Sequence, residues 1–278
     1  MLFFADYNNA IKQKPGKFTI LDTMKKLLVI IPSRFHSSRF EGKPLTIIKG
    51  KTMLERVWLQ CQKLNEILTD YEVEVIIATD HPSIAQECEH IGARYYLTQS
   101  NHQSGTDRCF EAIKKHNTDV DLMLNVQGDE PFINPNALAQ LIRFLDASQY
   151  PLATLCRAIG AQENLADPNC VKVVKSIHHQ ALYFSRAPIP FYREDPIGST
   201  QKHYQHIGVY AFKKKVFRFL PNLKVSPLEK AEQLEQLRWL EAGYTIGVLE
   251  THYQSCAVDT PEDLMSVEKF LKQNPEWE

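Results

Sequence analysis

Two kinds of hydrophobic pattern alternate along the first half of the chain. The segments 26–32 (KLLVIIP) and 72–80 (EVEVIIATD) are rich in consecutive apolar residues, which is typical of strands buried on both faces of a parallel sheet. The segment 52–68 instead has apolar residues at helical spacing, namely Leu54, Val57, Trp58, Cys61, Leu64 and Leu68. The pattern therefore predicts a strand, a helix and a second strand, in that order.

The same alternation continues as far as about residue 131. Residues 81–92 predict a short helix ended by Gly92, ARYYLT a third strand, DRCFEAIKKH another helix, and VDLMLNVQGDEP a strand that runs into a loop. Strands that alternate with helices are typical of a parallel sheet covered by helices on both faces. The sequence thus predicts an α/β protein with three layers and a mostly parallel central sheet.

The second half alternates less regularly. PLATLCRAI and CVKVVKSI have the composition of strands, and KHYQHIGVYAFKKKVFRFL predicts a strand followed by a short helix. PLEKAEQLEQLRWLEAG predicts a charged helix capped by Gly243. Because the chain contains no internal repeat and no Gly/Ser linker, we predict a single domain over residues 24–278 with an elaborated second half.

Residues 1–23 are predicted to be an N-terminal extension outside that domain. Met24 precedes KKLLVIIPSR and resembles a natural protein start. An upstream start codon and a small extra segment packed on the surface explain the extension equally well, so we assign it no function. It lacks the basic region and the continuous apolar core of a secretory signal.

Composition narrows the possible functions. The 278 residues carry a formal net charge of −1, whereas proteins that bind nucleic acid or membrane surfaces usually carry a basic excess. The six cysteines are scattered, without a CxxC pair, which favours free thiols in a reducing compartment. No apolar run reaches the ~18 residues of a membrane-spanning helix. We expect a cytoplasmic protein that binds neither nucleic acid nor membrane.

Three polar loops follow predicted strands: PSRFHSSRFEGK, ATDHP and QGDEP. Ligands of open α/β sheets bind at the carboxyl ends of the parallel strands, so we expect these loops to converge at one edge. The first loop holds Arg34, Arg39 and Lys43, which suit the oxygens of a phosphate; the alternative is a solvated basic loop. GKT at 50–52 is not a P-loop, because the first required glycine is replaced by Leu45.

Two further segments have competing interpretations. HQSGTDR (102–108) either approaches a ligand closely or begins a helix, with Ser104 or Thr106 as its cap. Asp129 follows a strand and Asp259 a short apolar run, and carboxylates in such places suit Mg²⁺. The alternatives are a turn at Gly128–Asp129 and a helix start at Thr260–Pro261.

Taken in order, these motifs resemble the family of 3-deoxy-manno-octulosonate cytidylyltransferases, or CMP-Kdo synthetases. The similarity runs from about residue 25 to 270 and rests on nine segments: IPSRFHSSRFEGKPL, ATDHPSIA, HQSGTDR, NVQGDEPFI, NCVKVV, ALYFSRAPIP, HIGVYAF, SPLEKAEQLEQLRWLEAG and VDTPEDL. The resemblance implies a nucleotide-diphospho-sugar transferase-like fold and the transfer of CMP from CTP to the anomeric 2-hydroxyl of 3-deoxy-manno-octulosonate (Kdo), with release of pyrophosphate. It also implies Mg²⁺ dependence, a homodimer and a role in lipopolysaccharide biosynthesis.

Residue by residue, the resemblance implies three groups of side chains. The nucleotide would contact Ser33, Arg34, Arg39, Lys43, Thr79, Asp80, Ser104, Gly105 and Arg108. The sugar acid would contact Gln127, Arg186, His206, Tyr210, Glu235 and Gln236. Asp129 and Asp259 would bind Mg²⁺, and together with Arg34 and Lys43 they would be the catalytic residues.

The sequence departs from the family pattern at Phe40–Glu41, where the family usually has Leu-Pro, and in its extension at residues 1–23. An acid so near a triphosphate is unfavourable unless it points to solvent. Three competing functions stay open: the same chemistry on a sialic acid or an amino-substituted Kdo, a pyrophosphorylase that uses UTP or GTP, and a nucleotide-binding module without turnover.

Overall fold

The computed structural model describes residues 24–36, 40–102, 104–117, 119–193, 202–253, 258 and 263–277. The strands are β1 Lys25–Ser33, β2 Ile47–Ile48, β3 Lys51–Thr52, β4 Tyr71–Thr79, β5 Arg94–Leu97, β6 Leu122–Asn125, β7 Leu152–Ala158, β8 Lys172–Lys175, β9 Ala181–Ser185, β10 Tyr204–Lys213 and β11 Ile246–Glu250. The α-helices are α1 Met53–Gln62, α2 Leu64–Ile67, α3 Pro82–Ile91, α4 Gly105–His116, α5 Pro135–Ala147, α6 Pro227–Glu232, α7 Gln236–Glu241 and α8 Asp263–Gln273.

The central sheet has the order β11-β7-β10-β6-β1-β4-β5, with β8 and β9 attached beside β10. β1 pairs in parallel with β4 and β6, β4 with β5, and β7 with β11. β10 is antiparallel to both of its neighbours on this path, β6 and β7. The predicted α/β fold with a mostly parallel central sheet is confirmed.

β1 shows why this sheet lies inside the molecule. Leu27, Val29 and Ile31 join a cluster with α1, α2 and α5 on one face, and Leu28 and Ile30 join a cluster with α4 and α7 on the other. Burying one such aliphatic side chain contributes roughly 1.5–3 kcal/mol. A strand with apolar residues at every position is thus stabilised only between two layers of helices, which gives the predicted three-layer arrangement.

The segment GKT lies in a small hairpin. β2 and β3 pair in antiparallel fashion, and Lys49 and Gly50 between them both have positive φ, of 48° and 80°. Two consecutive residues with positive φ are the signature of a tight two-residue hairpin turn. Thr52 then caps α1 by accepting a hydrogen bond from the backbone N–H of Glu55. The segment therefore makes a turn and a helix cap, in agreement with the exclusion of a P-loop.

The charged helix predicted from PLEKAEQLEQLRWLEAG is divided in the structure. α6 ends at Glu232, Gln233 adopts a left-handed conformation with φ 54°, and α7 begins at Gln236. The Arg186 side chain donates hydrogen bonds to the backbone carbonyls of Glu232 (2.7 Å) and Gln233 (3.3 Å). Arg186 directly follows β9, so a side chain from another segment satisfies these carbonyls and stabilises the break. The hydrophobic periodicity of the helical segment does not predict this contact.

A third apolar cluster joins the C-terminal helix to the first half of the chain. Val267 and Leu271 of α8 pack with Met53 and Phe132, and the partly buried Phe40 packs against the same cluster. Val258 also belongs to it and is fully buried. The cluster therefore connects the loop after β1, the loop after β6 and the C-terminal segment.

Candidate active site

The loops after β1, β4 and β6 meet at one edge of the sheet. β1 lies between β4 and β6 and is parallel to both, with Ser33 opposite Thr79 and Ile30 opposite Asn125. Parallel neighbours end on the same side, so the residues that follow Ser33, Thr79 and Asn125 are brought together. This is the convergence that the sequence predicts.

The loop after β1 is closed by the backbone of Gly42. Its N–H donates to the carbonyl of Phe35 (2.9 Å), and its φ of 67° is a backbone angle that residues other than glycine rarely adopt. The Phe35 ring stacks on His81, with 4.0 Å between ring centroids, so the loop also contacts the segment after β4. Arg34 is exposed at the start of this loop. Arg39 lies outside the described residues.

Glu41 does not bring its charge toward this site. Its carboxylate lies 3.2 Å from Nδ1 of His36, and both side chains are largely exposed. Phe40 before it packs against the third apolar cluster. At this departure from the family pattern, Phe40 thus packs inward and the Glu41 carboxylate lies in solvent, the direction in which an acid near a triphosphate is tolerated.

Lys43 and Asp129 form the charged pair at the centre of the edge. Lys43 Nζ lies 2.9 Å from Asp129 Oδ2, and the two side chains are 12% and 34% exposed. The backbone beside Asp129 is held close to β1, because a Cβ on Gly128 would lie 3.1 Å from the carbonyl oxygen of Pro32. Lys43, a predicted phosphate ligand, and Asp129, a predicted metal ligand, are therefore in direct contact.

Arg108 supports the site from inside. Its guanidinium is 3% exposed and donates to Asp80 Oδ2 (2.7 Å) and to Thr98 Oγ1 (2.5 Å). The structure therefore does not bring Arg108 to the cavity surface, in contrast to the predicted contact with the nucleotide; it holds Asp80 at the end of β4. Thr79 is buried at that strand end, as is Ser33 at the end of β1.

Ser104 has both of the roles considered from the sequence. Its hydroxyl oxygen accepts a hydrogen bond from the backbone N–H of Asp107 (3.1 Å) and so caps α4. It also lines the cavity beside Gly105. A Cβ on Gly105 would lie 3.1 Å from Gln127 Oε1 and 3.2 Å from Pro32 Cγ, so the start of α4 packs directly on the loops after β1 and β6.

A cavity of about 660 Å³ opens beside the Lys43–Asp129 pair. Asp129 forms part of its wall, and all six residues predicted for the sugar acid line it: Gln127, Arg186, His206, Tyr210, Glu235 and Gln236. The Nε2 atom of Gln236, a residue only 2% exposed, is buried without a hydrogen-bond partner in the part of the chain that the structure describes. A buried donor in this state is available to an oxygen of a ligand.

His206 is buried, and its ring nitrogen Nε2 lies 2.9 Å from the Thr154 hydroxyl oxygen. That hydroxyl is also within hydrogen-bond distance of the backbone carbonyl oxygens of Ile207 (3.1 Å) and Val209 (2.6 Å). When its single proton is directed to either carbonyl, the hydroxyl oxygen accepts from a protonated Nε2. Burial lowers the pKa of His206 to about 3, and the ring therefore stays uncharged at neutral pH.

Glu235 is a partly buried carboxyl group directly before α7. Burial raises its pKa, and hydrogen bonds from Thr106 and Ser104 act in the opposite direction. Its neighbour Arg238 is held by the Glu229 carboxylate through two bonds of 2.7 and 2.5 Å. The break between α6 and α7 thus brings a carboxylate to the cavity while the nearby cation is already paired.

Sequence reasoning assigned no role to several polar residues that line this cavity, among them Glu130, Asn169, Gln205 and Glu229. It also missed Asn125 and Thr106, which lie behind the cavity wall: Thr106 was considered only within HQSGTDR, as a possible helix cap, and Asn125 was included in a strand. Both side chains are buried and hydrogen-bonded to each other (2.9 Å). The available signal was an asparagine at the end of an otherwise apolar strand, since asparagine is depleted in strands.

Among the residues that the structure describes, no three His, Cys, Asp or Glu side chains are grouped in a way that could hold a metal ion. The Asp129 carboxylate is partly exposed at the cavity, and its backbone carbonyl accepts from the N–H of Val258 (3.1 Å). Asp259 lies outside the described residues. A partly exposed carboxylate at the cavity suits Mg²⁺, which takes few protein ligands. No helix in the described part of the chain is long and apolar enough to cross a membrane.

Known proteins share both the sequence and the fold. A family model described as Cytidylyltransferase matches residues 28–246. The 3-deoxy-manno-octulosonate cytidylyltransferase of Cytophaga hutchinsonii is 43% identical over 245 residues, which are 87% of this chain and 96% of that protein. The Escherichia coli protein of the same name is 38% identical over 251 residues, which are 90% of this chain and 98% of that protein.

Solved structures agree. The structure of a CMP:2-keto-3-deoxy-manno-octonic acid synthetase complexed with CTP matches with a TM-score of 0.80 at 38% identity, covering 90% of this chain and 99% of the other. The 4-diphosphocytidyl-2C-methyl-D-erythritol synthase of Anaerococcus prevotii matches with a TM-score of 0.56 at 15% identity, covering 90% and 100%, and shares the fold alone.

The fold and the site define a nucleotidyltransferase of the α/β class. The chain belongs to the cytidylyltransferase family, and within it to the 3-deoxy-manno-octulosonate cytidylyltransferases.

Proposed function

We propose that this protein transfers CMP from CTP to the anomeric 2-hydroxyl of Kdo and releases pyrophosphate. The observation that carries the proposal is a cavity that adjoins both sets of predicted residues. The Lys43–Asp129 pair lies at one side of it, and the six side chains predicted for the sugar acid are among the residues that line it. Nucleotide and acceptor would thus be held next to each other, which the transfer requires.

The cations of the first loop would act on the leaving side. The sugar hydroxyl attacks the α-phosphorus in line and gives up its proton, the bond from that phosphorus to the α,β-bridging oxygen breaks, and negative charge grows on this oxygen as pyrophosphate leaves. Arg34, Arg39 and Lys43 would offset this charge, Arg34 and Arg39 through two parallel N–H donors and Lys43 as a point charge. Ser33, Thr79, Asp80, Ser104 and Gly105 would border the nucleotide.

Asp129 and Asp259 are the proposed ligands of Mg²⁺. A bound Mg²⁺ would neutralise phosphate charge and lower the pKa of a hydroxyl that it coordinates. The hydrogen bond from Val258 N–H to the Asp129 carbonyl supports the pairing, because Val258 directly precedes Asp259 in the chain. In the unliganded protein, Lys43 balances the charge of Asp129.

The polar groups around the cavity suit a polyhydroxylated acid. Glu235 offers a carboxylate that accepts hydrogen bonds, and Gln236 offers the buried donor described above. Gln127, Tyr210 and the neutral His206 add further polar groups, and Arg186, although it donates to backbone carbonyls, lies in the same wall. Protein nucleophiles have no role in this reaction.

The proposal extends to assembly, location and domain organisation. We propose a cytoplasmic homodimer that supplies lipopolysaccharide biosynthesis, with residues 24–278 as its single catalytic domain and residues 1–23 as a dispensable extension. The exposed apolar side chains of Ile177, Leu182 and Phe191, on and after the β8–β9 hairpin, are available to a second copy. Sedimentation equilibrium would show a mass of one chain rather than two if this is wrong.

The deciding experiment is pyrophosphate release with Mg²⁺ and each combination of nucleotide and sugar acid. CTP should be strongly preferred over ATP, GTP and UTP, and release should require Kdo and CTP together. Turnover with N-acetylneuraminate or an amino-substituted Kdo, but not with Kdo, would reassign the acceptor. Nucleotide-dependent thermal stabilisation without turnover of any acid would instead favour the non-catalytic module.

A further inference from the structure

A continuous row of hydrogen bonds connects Gln127, which follows β6, to Glu235, which directly precedes α7. Gln127 Nε2 donates to Asn125 Oδ1 (3.3 Å), Asn125 Nδ2 donates to Thr106 Oγ1 (2.9 Å), and the Thr106 hydroxyl donates to Glu235 Oε1 (2.5 Å). Only the end members, Gln127 and Glu235, line the cavity. The row thus joins two cavity residues, 108 positions apart in the chain, through two buried residues.

The two inner members are buried polar groups in an apolar setting. Asn125 is 0% exposed and Thr106 is 2% exposed. The strand before Asn125 is LML, which packs on both faces. Apolar side chains of similar shape at such positions are often neutral or stabilising. Stability therefore does not account for an amide and a hydroxyl here, whereas the orientation of their partners does.

Each bond in the row fixes the direction of the next. Asn125 uses its amide N–H on the Thr106 oxygen, so the single Thr106 proton is directed to Glu235. Asn125 Oδ1 takes an N–H of Gln127, and the Gln127 carbonyl oxygen is then directed toward Gly105. All donors point toward the carboxylate, so the bonds polarise one another.

We propose that Asn125 and Thr106 are positioning residues for the sugar acid: they orient Gln127 and Glu235 without contacting the substrate. This inference rests on the proposed function, because that function assigns both end members to the acceptor. Lys43 and Asp129, on the nucleotide side of the site, are not members of this row, and the hydrogen bond of Ser104 to Glu235 is made without the inner members. Loss of an inner member should therefore affect the acceptor selectively.

Thr106→Val is the direct test, because it keeps the shape of the side chain and removes both hydrogen bonds. We expect KM for Kdo to rise about tenfold or more, the range for a lost hydrogen bond to a charged group, while KM for CTP stays within about twofold. Thr106→Ser should restore most of the affinity. Thr251→Val, which removes another buried hydroxyl, is the matched control and should leave both KM values unchanged.

Asn125→Leu provides the second measurement. If the row acts as a unit, the double variant Asn125→Leu/Thr106→Val should weaken Kdo binding no more than the stronger single variant. Equal losses in KM for Kdo, KM for CTP and melting temperature, without rescue by Thr106→Ser, would show a purely structural role and overturn the proposal. Wild-type KM for Kdo in Thr106→Val would overturn it as well.

The wild-type protein distinguishes this failure from failure of the proposed function. If wild type releases no pyrophosphate with Kdo, the acceptor assignment is wrong. The same variants are then measured with the sugar acid that wild type does turn over, and the row is refuted if KM for that acid is unchanged.

Discussion

At the scale of single residues, Lys43 and Asp129 define the centre of the site. They are 86 positions apart in the chain and 2.9 Å apart in space. The ammonium and the carboxylate each occupy a place where a ligand of opposite charge is proposed, phosphate for Lys43 and Mg²⁺ for Asp129. In the unliganded protein the charges of Lys43 and Asp129 thus offset each other. When nucleotide and metal bind, phosphate would offset the charge of Lys43 and Mg²⁺ that of Asp129.

The loop cations make the first prediction. Substitution of Arg34 or Lys43 by Ala removes a charge-assisted contact to phosphate of about 1.5–3 kcal/mol, and we expect kcat/KM for CTP to fall about 10- to 150-fold. Arg34→Lys should recover only part of this loss, because an ammonium cannot make two parallel bonds. Steady-state kinetics at fixed Kdo measure both effects. Unchanged kinetics in Arg34→Ala would reduce the cluster to a solvated surface loop.

The two proposed metal ligands make the second prediction. Asn at position 129 or 259 keeps the size of the side chain but removes the charge that a divalent ion needs. Turnover should fall sharply at every Mg²⁺ concentration tested, while the melting temperature stays within about 2 °C, which corresponds to about 1 kcal/mol for a protein of this size. If Asp259 merely caps a helix, Asn caps almost as well, and an active Asp259→Asn enzyme would remove this residue from the metal site.

Positions in the site were predictable where a motif places a side chain, and the direction of a side chain was not predictable where it depends on a neighbour. Lys43, Asp129 and the six cavity residues stand at positions that motif matching found. Arg108 matched its motif equally well, yet its guanidinium is directed inward to Asp80 and Thr98. The direction of a side chain depends on contacts with other segments, which a motif does not contain.

At the scale of secondary-structure elements, α4 is tied to the loop before it by Glu111. Its carboxylate accepts from the backbone N–H of Gln99 (2.9 Å) and pairs with Lys115 (2.8 Å) and His102 (2.5 Å). Burial acts to raise the pKa of Glu111, but the bonds from Lys115, Gln99 and His102 outweigh it and lower the pKa to about 2. The segment that leads to Ser104 and Gly105 is therefore held by an ionised acid.

The third prediction follows from the sign of this shift. A carboxyl with a folded-state pKa below its unfolded value contributes stability above the unfolded pKa and loses it as pH falls through the folded one. Glu111→Gln should lower the melting temperature at pH 7 but make little difference near pH 2. Melting curves between pH 7 and 2 test this, with exposed Glu66→Gln in α2 as the control. A pH-independent difference would show that Glu111 acts by packing.

Elements were predictable as far as local pattern determines them. The parallel strands and the helices of the first half follow from their periodicity, and Gly92 ends α3 with φ 71° as its position suggests. The single helix expected over PLEKAEQLEQLRWLEAG was wrong because Arg186 occupies the carbonyls at Glu232 and Gln233. That contact brings together residues 46 and 47 positions apart, beyond the range of any periodicity.

At the scale of the whole molecule, the third apolar cluster links three segments that carry the proposed triphosphate and metal ligands. Phe40 belongs to the loop with Lys43, Phe132 follows Asp129, and Val258 precedes Asp259. All three pack on a surface completed by Val267 and Leu271 of α8. The C-terminal helix lies far along the chain from the first loop, yet it supports the same edge of the sheet. Nothing in the hydrophobic pattern of α8 indicates this partner.

The fourth prediction tests this support at Leu271, which is 1% exposed and does not line the cavity. Leu271→Ala leaves a void in the cluster and should cost about 2–5 kcal/mol of stability. Because the cluster includes Phe132 and Val258, which are close in the chain to the proposed metal ligands Asp129 and Asp259, we expect the Mg²⁺ concentration at half-maximal turnover to rise several-fold, with KM for Kdo little changed. Leu145→Ala in α5, equally buried in the first core cluster, is the matched control: it should lose comparable stability without altering the Mg²⁺ dependence. Measured at a temperature where both variants stay folded by circular dichroism, the same Mg²⁺ dependence in both would show that α8 stabilises the fold without positioning the site.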